Sequence, residues 1–293
     1  MPGAGNPCGV RKPVAIESLV LNGALQPDRH QARIGGGQMV AYTSPSPDKD
    51  SENEDTVAVI AYGPQAAVLV VADGAGGLPA GKLASQTAVT TLIDRLDSSI
   101  AETVLLRTAI LDGIEAANIA VQDLANGAAT TFTVITIEGL DARAYQIGDS
   151  EAIIVGQRGL IRLHTPVHSP TGLLVEAGVL DEREALHHAE RHLVSNFLGT
   201  SDMRIDVGTE VRLQPRDTIV VASDGLMDNL HVAEIVLRVR SGPLDKACDA
   251  VIGLARRRMS GIAPDQPSKP DDLSLILYRK PYRPADYVSE KAH

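Results

Sequence analysis

Apolar residues fall along this chain in two distinct periods. Thr56–Val57–Ala58–Val59–Ile60–Ala61 and Ala67–Val68–Leu69–Val70–Val71–Ala72 are short, nearly unbroken apolar runs. Runs of this kind, rich in Val and apolar on both faces, predict buried strands. From Pro79 to about Asp97 the period lengthens. Leu83, Thr87, Val89, Leu92, Ile93 and Leu96 recur at helical spacing, and Pro79 is placed near a helix start. A second helix is predicted from about Ile100 to Leu124, burying Val104, Leu105, Ala109, Ile110, Ile114 and Ile119. Strand patterns return at Thr131–Ile137, Ala142–Ile147 and Ala152–Gln157, with short Gly- or Asp-containing turns that predict antiparallel hairpins. The mixed stretch 166–200 carries one predicted helix, Asp181–His188. Beyond it come a buried strand at Asp217–Ser223, helices at about 231–240 and 244–260, and a last strand at Leu273–Arg279. Residues 1–35 are rich in Gly, Pro and polar residues and read as a loose arm with one strand around Ala15–Leu21. No repeat or linker divides the rest of the chain, so the pattern predicts one α+β domain over residues 36–280 and a tail over 281–293.

Composition narrows the class. Of 293 residues, 44% are hydrophobic and 22% charged, as in ordinary globular proteins. Aromatics make up only 3%, with no Trp, so the core is built from Ala, Val, Leu and Ile and there is little material for base-stacking platforms. A net charge of -10 repels a phosphate backbone, which argues against nucleic acid as a partner. No apolar run approaches the ~20 residues of a membrane helix, and Arg11–Lys12 is not followed by the apolar stretch of a signal peptide. Cys8 and Cys248 stand in no metal-type spacing. A cytoplasmic protein with reduced cysteines, free of membrane and nucleic acid, is the expectation.

The positions of the aspartates carry the chemistry. Asp73 and Asp224 each end a strongly apolar strand and are each followed by Gly. Asp149 lies in Gly148–Asp149–Ser150 between two strands, Asp271 and Asp272 precede the final strand, and Glu54 and Asp55 lead into the strand at Thr56. Strand ends at one edge of a sheet bring such groups within a few ångströms of each other. A cluster of that kind repels itself unless it holds cations or protons. Oxygen donors without supporting His or Cys select hard ions, Mg²⁺ or Mn²⁺. Gly74 after Asp73 permits close backbone approach and offers a carbonyl as a further ligand.

Taken singly, each of these carboxylates is a turn residue, a helix cap or part of a solvated loop. Only their combination is specific. The acidic run Asp48–Asp55 lacks the central Gly and closing Glu of a calcium loop. A dinucleotide-binding reading of the loop after Asp73 needs Gly where Pro79 stands, and an Asp opening the loop repels pyrophosphate. His187, His188 and His192 form a small cluster without a zinc motif, and are assigned a surface or packing role.

Several segments resemble the metal-dependent protein phosphatases of the protein phosphatase 2C type, in their bacterial form. They are Asn53–Glu54–Asp55, then Val70–Val71–Ala72–Asp73–Gly74–Ala75–Gly76–Gly77 with Gly81 and Ala84–Ser85, Gly148–Asp149–Ser150, the segment from His168–Ser169 to Leu198–Gly199, Ser223–Asp224–Gly225–Leu226, and Asp271–Asp272–Leu273–Ser274. The resemblance implies a four-layer α-β-β-α sandwich, two antiparallel sheets flanked by helices, with metals at one end. It implies that Asp55, Asp73, Asp224 and Asp271 ligate two divalent ions, Mn²⁺ or Mg²⁺, with Asp73 bridging both. Asp55, Asp73 and Asp224 are then the catalytic carboxylates. The Gly74 carbonyl would be a direct ligand, Glu54 would hold metal-bound water, and Asp149 would bind a weaker third metal. The implied activity is hydrolysis of phosphoserine and phosphothreonine in proteins by a metal-activated hydroxide, opposing a serine/threonine kinase.

Two departures stand out. The family's phosphate-gripping Arg is Asp50 here, leaving Lys49 beside it as the substrate-binding candidate, although Lys does not reproduce a bidentate clamp. Ala75 stands where eukaryotic members carry His within the Asp-Gly-x-Gly-Gly segment. Two competing readings remain open. One is a catalytically weak or inactive binding module that recognises a partner near Pro166–Arg191. The other is a hydrolase of small phosphate esters.

Overall fold

The structure, a computed structural model, describes residues 16–22, 25–48, 50–75, 80–125, 127–188, 190, 193–262 and 266–281. In chain order the elements begin with β1 (Ser18–Asn22), β2 (Asp28–Ile34), β3 (Gly37–Ser44), β4 (Thr56–Ala61), β5 (Ala66–Ala72) and β6 (Gly74–Ala75). Two long helices follow, α1 (Ala80–Ala101) and α2 (Leu106–Gln122), then β7 (Ala129–Thr130), β8 (Phe132–Glu138), β9 (Asp141–Ile147), β10 (Glu151–Val155) and β11 (Ile161–His164). Next come α3 (Pro170–Glu176), α4 (Glu182–Ala185), β12 (Asp206–Val207), β13 (Val211–Arg212) and β14 (Thr218–Ala222). The series closes with α5 (Asp224–Met227), α6 (Val232–Val239), α7 (Leu244–Met259) and β15 (Leu273–Arg279).

Thirteen of the strands form two antiparallel sheets, ordered β1-β4-β5-β8-β9-β12 (with β13 also on β9) and β11-β10-β14-β15-β3-β2, and β6 and β7 pair as a short ladder of their own. Their packing explains why the central strands read as apolar on both faces. In β4, Val57 and Val59 point into the core between the sheets, whereas Ala58 and Ile60 join the core that holds α1 and α2. In β15, Ile276 and Tyr278 point between the sheets, and Leu273, Leu275 and Leu277 pack with residues of α5, α6 and α7. Both faces of each sheet are thus covered, giving the expected α-β-β-α sandwich.

Some local expectations are corrected. The strand expected around Ala15–Leu21 is β1, but residues 28–34, read as part of the loose arm, form a further strand, β2, the two lying one in each sheet. β2 is a mostly exposed edge strand, DRHQARI, so its residues carry no apolar alternation to reveal it. Strand β3 was not anticipated either. The second helix starts at Leu106 rather than near Ile100, because Thr103 takes a left-handed φ of 57° that ends the first one. Its buried face is Leu106, Ala109, Ile110, Gly113, Ile114, Ala117 and Val121, while Leu105 and Ile119 are exposed. Leu83 on α1 is exposed as well. The helix expected over 181–188 is the single turn α4, capped by Asp181, whose carboxylate accepts from the Glu184 N–H at 2.7 Å. Cys248 is a buried free thiol, and Cys8 lies outside the described residues.

Candidate metal centre

Strand register assembles the carboxylates. Thr56 pairs with Ala72, so Asp55 and Asp73, one residue beyond that pair, sit together where β4 begins and β5 ends. In the second sheet Ala222 pairs with Leu275, which brings Asp224, just past β14, to the edge where Asp271 and Asp272 enter β15. The β9–β10 connection crosses between the sheets and carries Asp149 to the same end.

Hydrogen bonds hold these positions. The Ser223 hydroxyl donates to Asp55 Oδ2 at 2.9 Å, tying one sheet's carboxylate to the other sheet. The Asp73 N–H donates to Thr131 Oγ1 at 3.0 Å, and its carbonyl accepts from the Thr131 N–H and the Thr130 hydroxyl, each at 2.8 Å. Buried Asn53 accepts from the Asp55 N–H at 2.8 Å and donates to Thr43 Oγ1. Asp272 has a structural part: its two oxygens accept from the Ser46 and Glu54 N–H groups, both at 2.8 Å, and so fix the approach to Asp55.

Two glycines are required by contact rather than by dihedral angle. A Cβ on Gly74 would stand 2.2 Å from the Gly81 carbonyl oxygen, and one on Gly225 only 1.8 Å from that of Asp272. Only bare backbone lets the Asp73 turn reach α1, and lets α5 reach the Asp271–Asp272 segment.

The electrostatics are those of carboxylates crowded together out of water. Burial raises the Asp55 pKa well above the usual carboxylate range, with Asp272 and Asp224 adding repulsion. Asp73 is raised by burial and then by Asp55, Asp224, Asp271 and Asp149. Asp149 is raised by burial and by Asp224 and Asp228. Burial and Asp224 push Asp271 up to about 6, against an opposing pull from Lys269. Asp55 Oδ1 and Asp224 Oδ1 are buried with no hydrogen-bond partner among the described residues. Unpaired carboxylate oxygens cost about 3 kcal/mol when buried, and a hard cation is the partner that suits them. The donor set therefore fits divalent ions. Among the described residues, however, no group of three or more acidic, His or Cys side chains stands ready as a cage.

An ammonium already lies among these carboxylates. Lys269 Nζ contacts Asp224 Oδ2 closely, Asp271 Oδ2 at 3.0 Å and Asp228 Oδ2 at 3.1 Å. Burial alone would lower the Lys269 pKa, but these three carboxylates more than offset it and raise it. Neither Lys269 nor Asp228 was foreseen. Asp228 had a visible signal, its i, i+4 spacing from Asp224, whereas Lys269 sits in an irregular loop with no periodicity.

Of the residues singled out from sequence, Asp55, Asp73, Asp149, Asp224 and Asp271 come together as mutually interacting charges. Gly74 adjoins them, and Glu54 Oε1 lies against Gly81. Lys49 falls outside the described residues, and Asp50 is exposed. His187 packs edge-on to His231 with ring centroids 6.5 Å apart, while His192 is outside the described residues.

Comparison with known proteins gives the same picture at the level of the chain. The profile of the family described as Protein phosphatase 2C matches residues 47–250. A protein phosphatase 2C-type protein of Streptococcus pyogenes is 31% identical over 218 residues, 72% of this chain and 88% of its own. Among solved structures, the S. agalactiae serine/threonine phosphatase superposes with a TM-score of 0.63 at 26% identity, covering 90% of this chain and 98% of the other. The catalytic domain of the serine/threonine phosphatase PstP, solved with two manganese ions, gives a TM-score of 0.60 at 22% identity, with 90% and 97% covered.

Proposed function

Because the chain belongs to the protein phosphatase 2C family, we propose that its carboxylate cluster is the active site and that Asp55, Asp73, Asp224 and Asp271 hold the divalent ions. The protein is a metal-dependent protein-serine/threonine phosphatase, a hydrolase of phosphoprotein substrates. One observation carries the assignment of the site: strand ends from both sheets deliver buried and half-buried aspartates to one place, two of them with unpartnered buried oxygens.

Bound divalent ions supply acidified water and neutralise charge on the phosphoryl oxygens. The chain's part is placement. Ser223 orients Asp55 through Oδ2, which leaves Oδ1 for an ion. The Thr130 and Thr131 contacts fix the Asp73 backbone, in keeping with a bridging role for that carboxylate. The Gly74 carbonyl and Glu54 are assigned as a direct ligand and an outer, water-holding group, and Asp149 as the carboxylate facing a third cationic position. Mn²⁺ is the favoured ion, by analogy with the manganese-bound PstP domain. Lys49 remains the candidate for gripping substrate phosphate, next to Asp50.

The catalytic domain is taken to extend over residues 36–280 together with strands β1 and β2, which complete its sheets. The free thiol of Cys248 supports a cytoplasmic setting, and the activity implies a serine/threonine kinase that it opposes. Among the described residues no helix is long and apolar enough to cross a membrane. A non-catalytic module is not favoured, because no carboxylate of the proposed set has been lost.

The test is hydrolysis of p-nitrophenyl phosphate and a phosphothreonine peptide with Mn²⁺, with Mg²⁺ and with chelator. Metal-dependent turnover of both, abolished in Asp73→Asn, is expected. Tight metal binding without turnover of either would refute the assignment.

A further inference from the structure

Lys269 is built into the cluster. Its backbone is clamped from both sides by Asn229, which is fully buried: the Lys269 N–H donates to Asn229 Oδ1 and the Asn229 amide donates to the Lys269 carbonyl, each at 2.8 Å. The same amide donates to the Gly225 carbonyl at 2.9 Å, so the loop carrying Lys269 is locked to the helix carrying Asp224. Ser268, one residue earlier, donates to the Arg258 carbonyl at 2.7 Å. The lysine side chain is 22% exposed, and its ammonium has three donors facing three carboxylates, Asp224, Asp228 and Asp271.

The two oxygens of Asp224 divide the labour. Oδ2 is taken by Lys269, and Oδ1 is buried and without a partner among the described residues. One carboxylate can therefore serve an ion on one side and the ammonium on the other. An ion placed between Asp149, Asp224 and Asp228 would share two of its carboxylates with the ammonium and would be repelled by that positive charge.

We propose that Lys269 supplies an internal third cation, its ammonium held by Asp224, Asp228 and Asp271 beside Asp149, so that this site takes two metal ions and no more. The proposal rests on the reading of the cluster as a two-ion phosphatase centre. Lys269 is a positioning residue here: it balances charge and orients Asp224, and does not touch substrate.

The experiment counts bound Mn²⁺ per chain, by equilibrium dialysis with metal quantification, in the wild type, Lys269→Met and Lys269→Arg, all purified in Mn²⁺. The wild type and Lys269→Arg should saturate at two ions. Lys269→Met should bind a third, with that binding about ten-fold or more tighter than any third ion in the wild type, because an adjacent like charge has been removed. In chelator, Lys269→Met should melt below the wild type, since Asp224, Asp228 and Asp271 lose the ammonium that contacts all three. A third ion in the wild type at millimolar Mn²⁺ overturns the proposal, and that result needs no variant. Two ions in Lys269→Met also overturns it. If none of the three proteins binds Mn²⁺, the two-ion reading itself falls and the proposal falls with it, an outcome distinct from a changed count.

Discussion

Replacing Gly225 with Ala tests whether close backbone contact, and not helix propensity, governs the edge of the site. Gly225 lies in the first turn of α5, and in a helix Gly→Ala ordinarily stabilises by up to about 1 kcal/mol. At this position the new Cβ would stand 1.8 Å from the Asp272 carbonyl oxygen, 2.8 Å from its carbon and 3.2 Å from Leu273 Cα. These atoms are backbone and cannot rotate away. The Asp272 segment is also anchored by its side chain to Ser46 and Glu54. Relief requires separating α5 from the start of β15, at an overpacking cost of about 3 kcal/mol or somewhat more. The steric cost wins, for a net loss of about 2 kcal/mol. Because Asp224 and Asp271 flank the contact, kcat/KM should fall as well. Gly253→Ala is the control: it is a helical glycine in α7 whose added Cβ meets nothing nearer than Arg257 Nη1 at 3.5 Å. That variant should gain about 0.5–1 kcal/mol. Urea unfolding of both variants in Mn²⁺, with phosphatase assays alongside, decides the matter. If Gly225→Ala is as stable and active as the wild type, or if the two variants shift stability in the same direction, the contact argument is refuted.

Three further outcomes are expected. In chelator, stability should rise as pH falls from about 7 towards 5, because Asp271 titrates near about 6 when folded against a reference value of 3.8 and Asp55, Asp73 and Asp149 are raised too. A raised carboxylate pKa means the folded state binds the proton more tightly, so the penalty is full above the folded pKa and is relieved on acidification; a melting temperature that instead falls across this window contradicts the clustering. Asp272→Ala should cost about 2–4 kcal/mol in the Mn²⁺-loaded protein, since the Ser46 and Glu54 N–H groups lose their acceptors, and a change under about 0.5 kcal/mol would show that water replaces them. Asp50→Arg should lower KM for p-nitrophenyl phosphate by about ten-fold through a charge-assisted contact; an unchanged KM would mean that position 50 does not reach the substrate.

Much of the fold was legible from local pattern. β4 and β15 fall where their apolar runs predict, because strands buried on both faces cannot conceal their composition. Asp55, Asp73, Asp149, Asp224 and Asp271 could be singled out because each interrupts or borders such a run, and an aspartate there needs a reason. What escaped were features without period: the exposed edge strand β2, the break at Thr103, and the true face of α2, where Leu105 and Ile119 turn to solvent. Exposure of a single apolar residue depends on the rotation of the helix against its sheet, which local spacing determines only loosely. Tertiary structure alone decided the composition of the site. Asp272 reads as a twin of Asp271, yet its oxygens are spent on backbone N–H groups of residues 46 and 54, more than two hundred positions away. Nothing in the sequence around Lys269 marks it out, yet the buried Asn229 holds it among three aspartates. The amino-acid order specifies which charges exist and which strands end in them. Which charges meet is set by the register and packing of two sheets, and that long-range geometry turned a dispersed set of acids into one cluster.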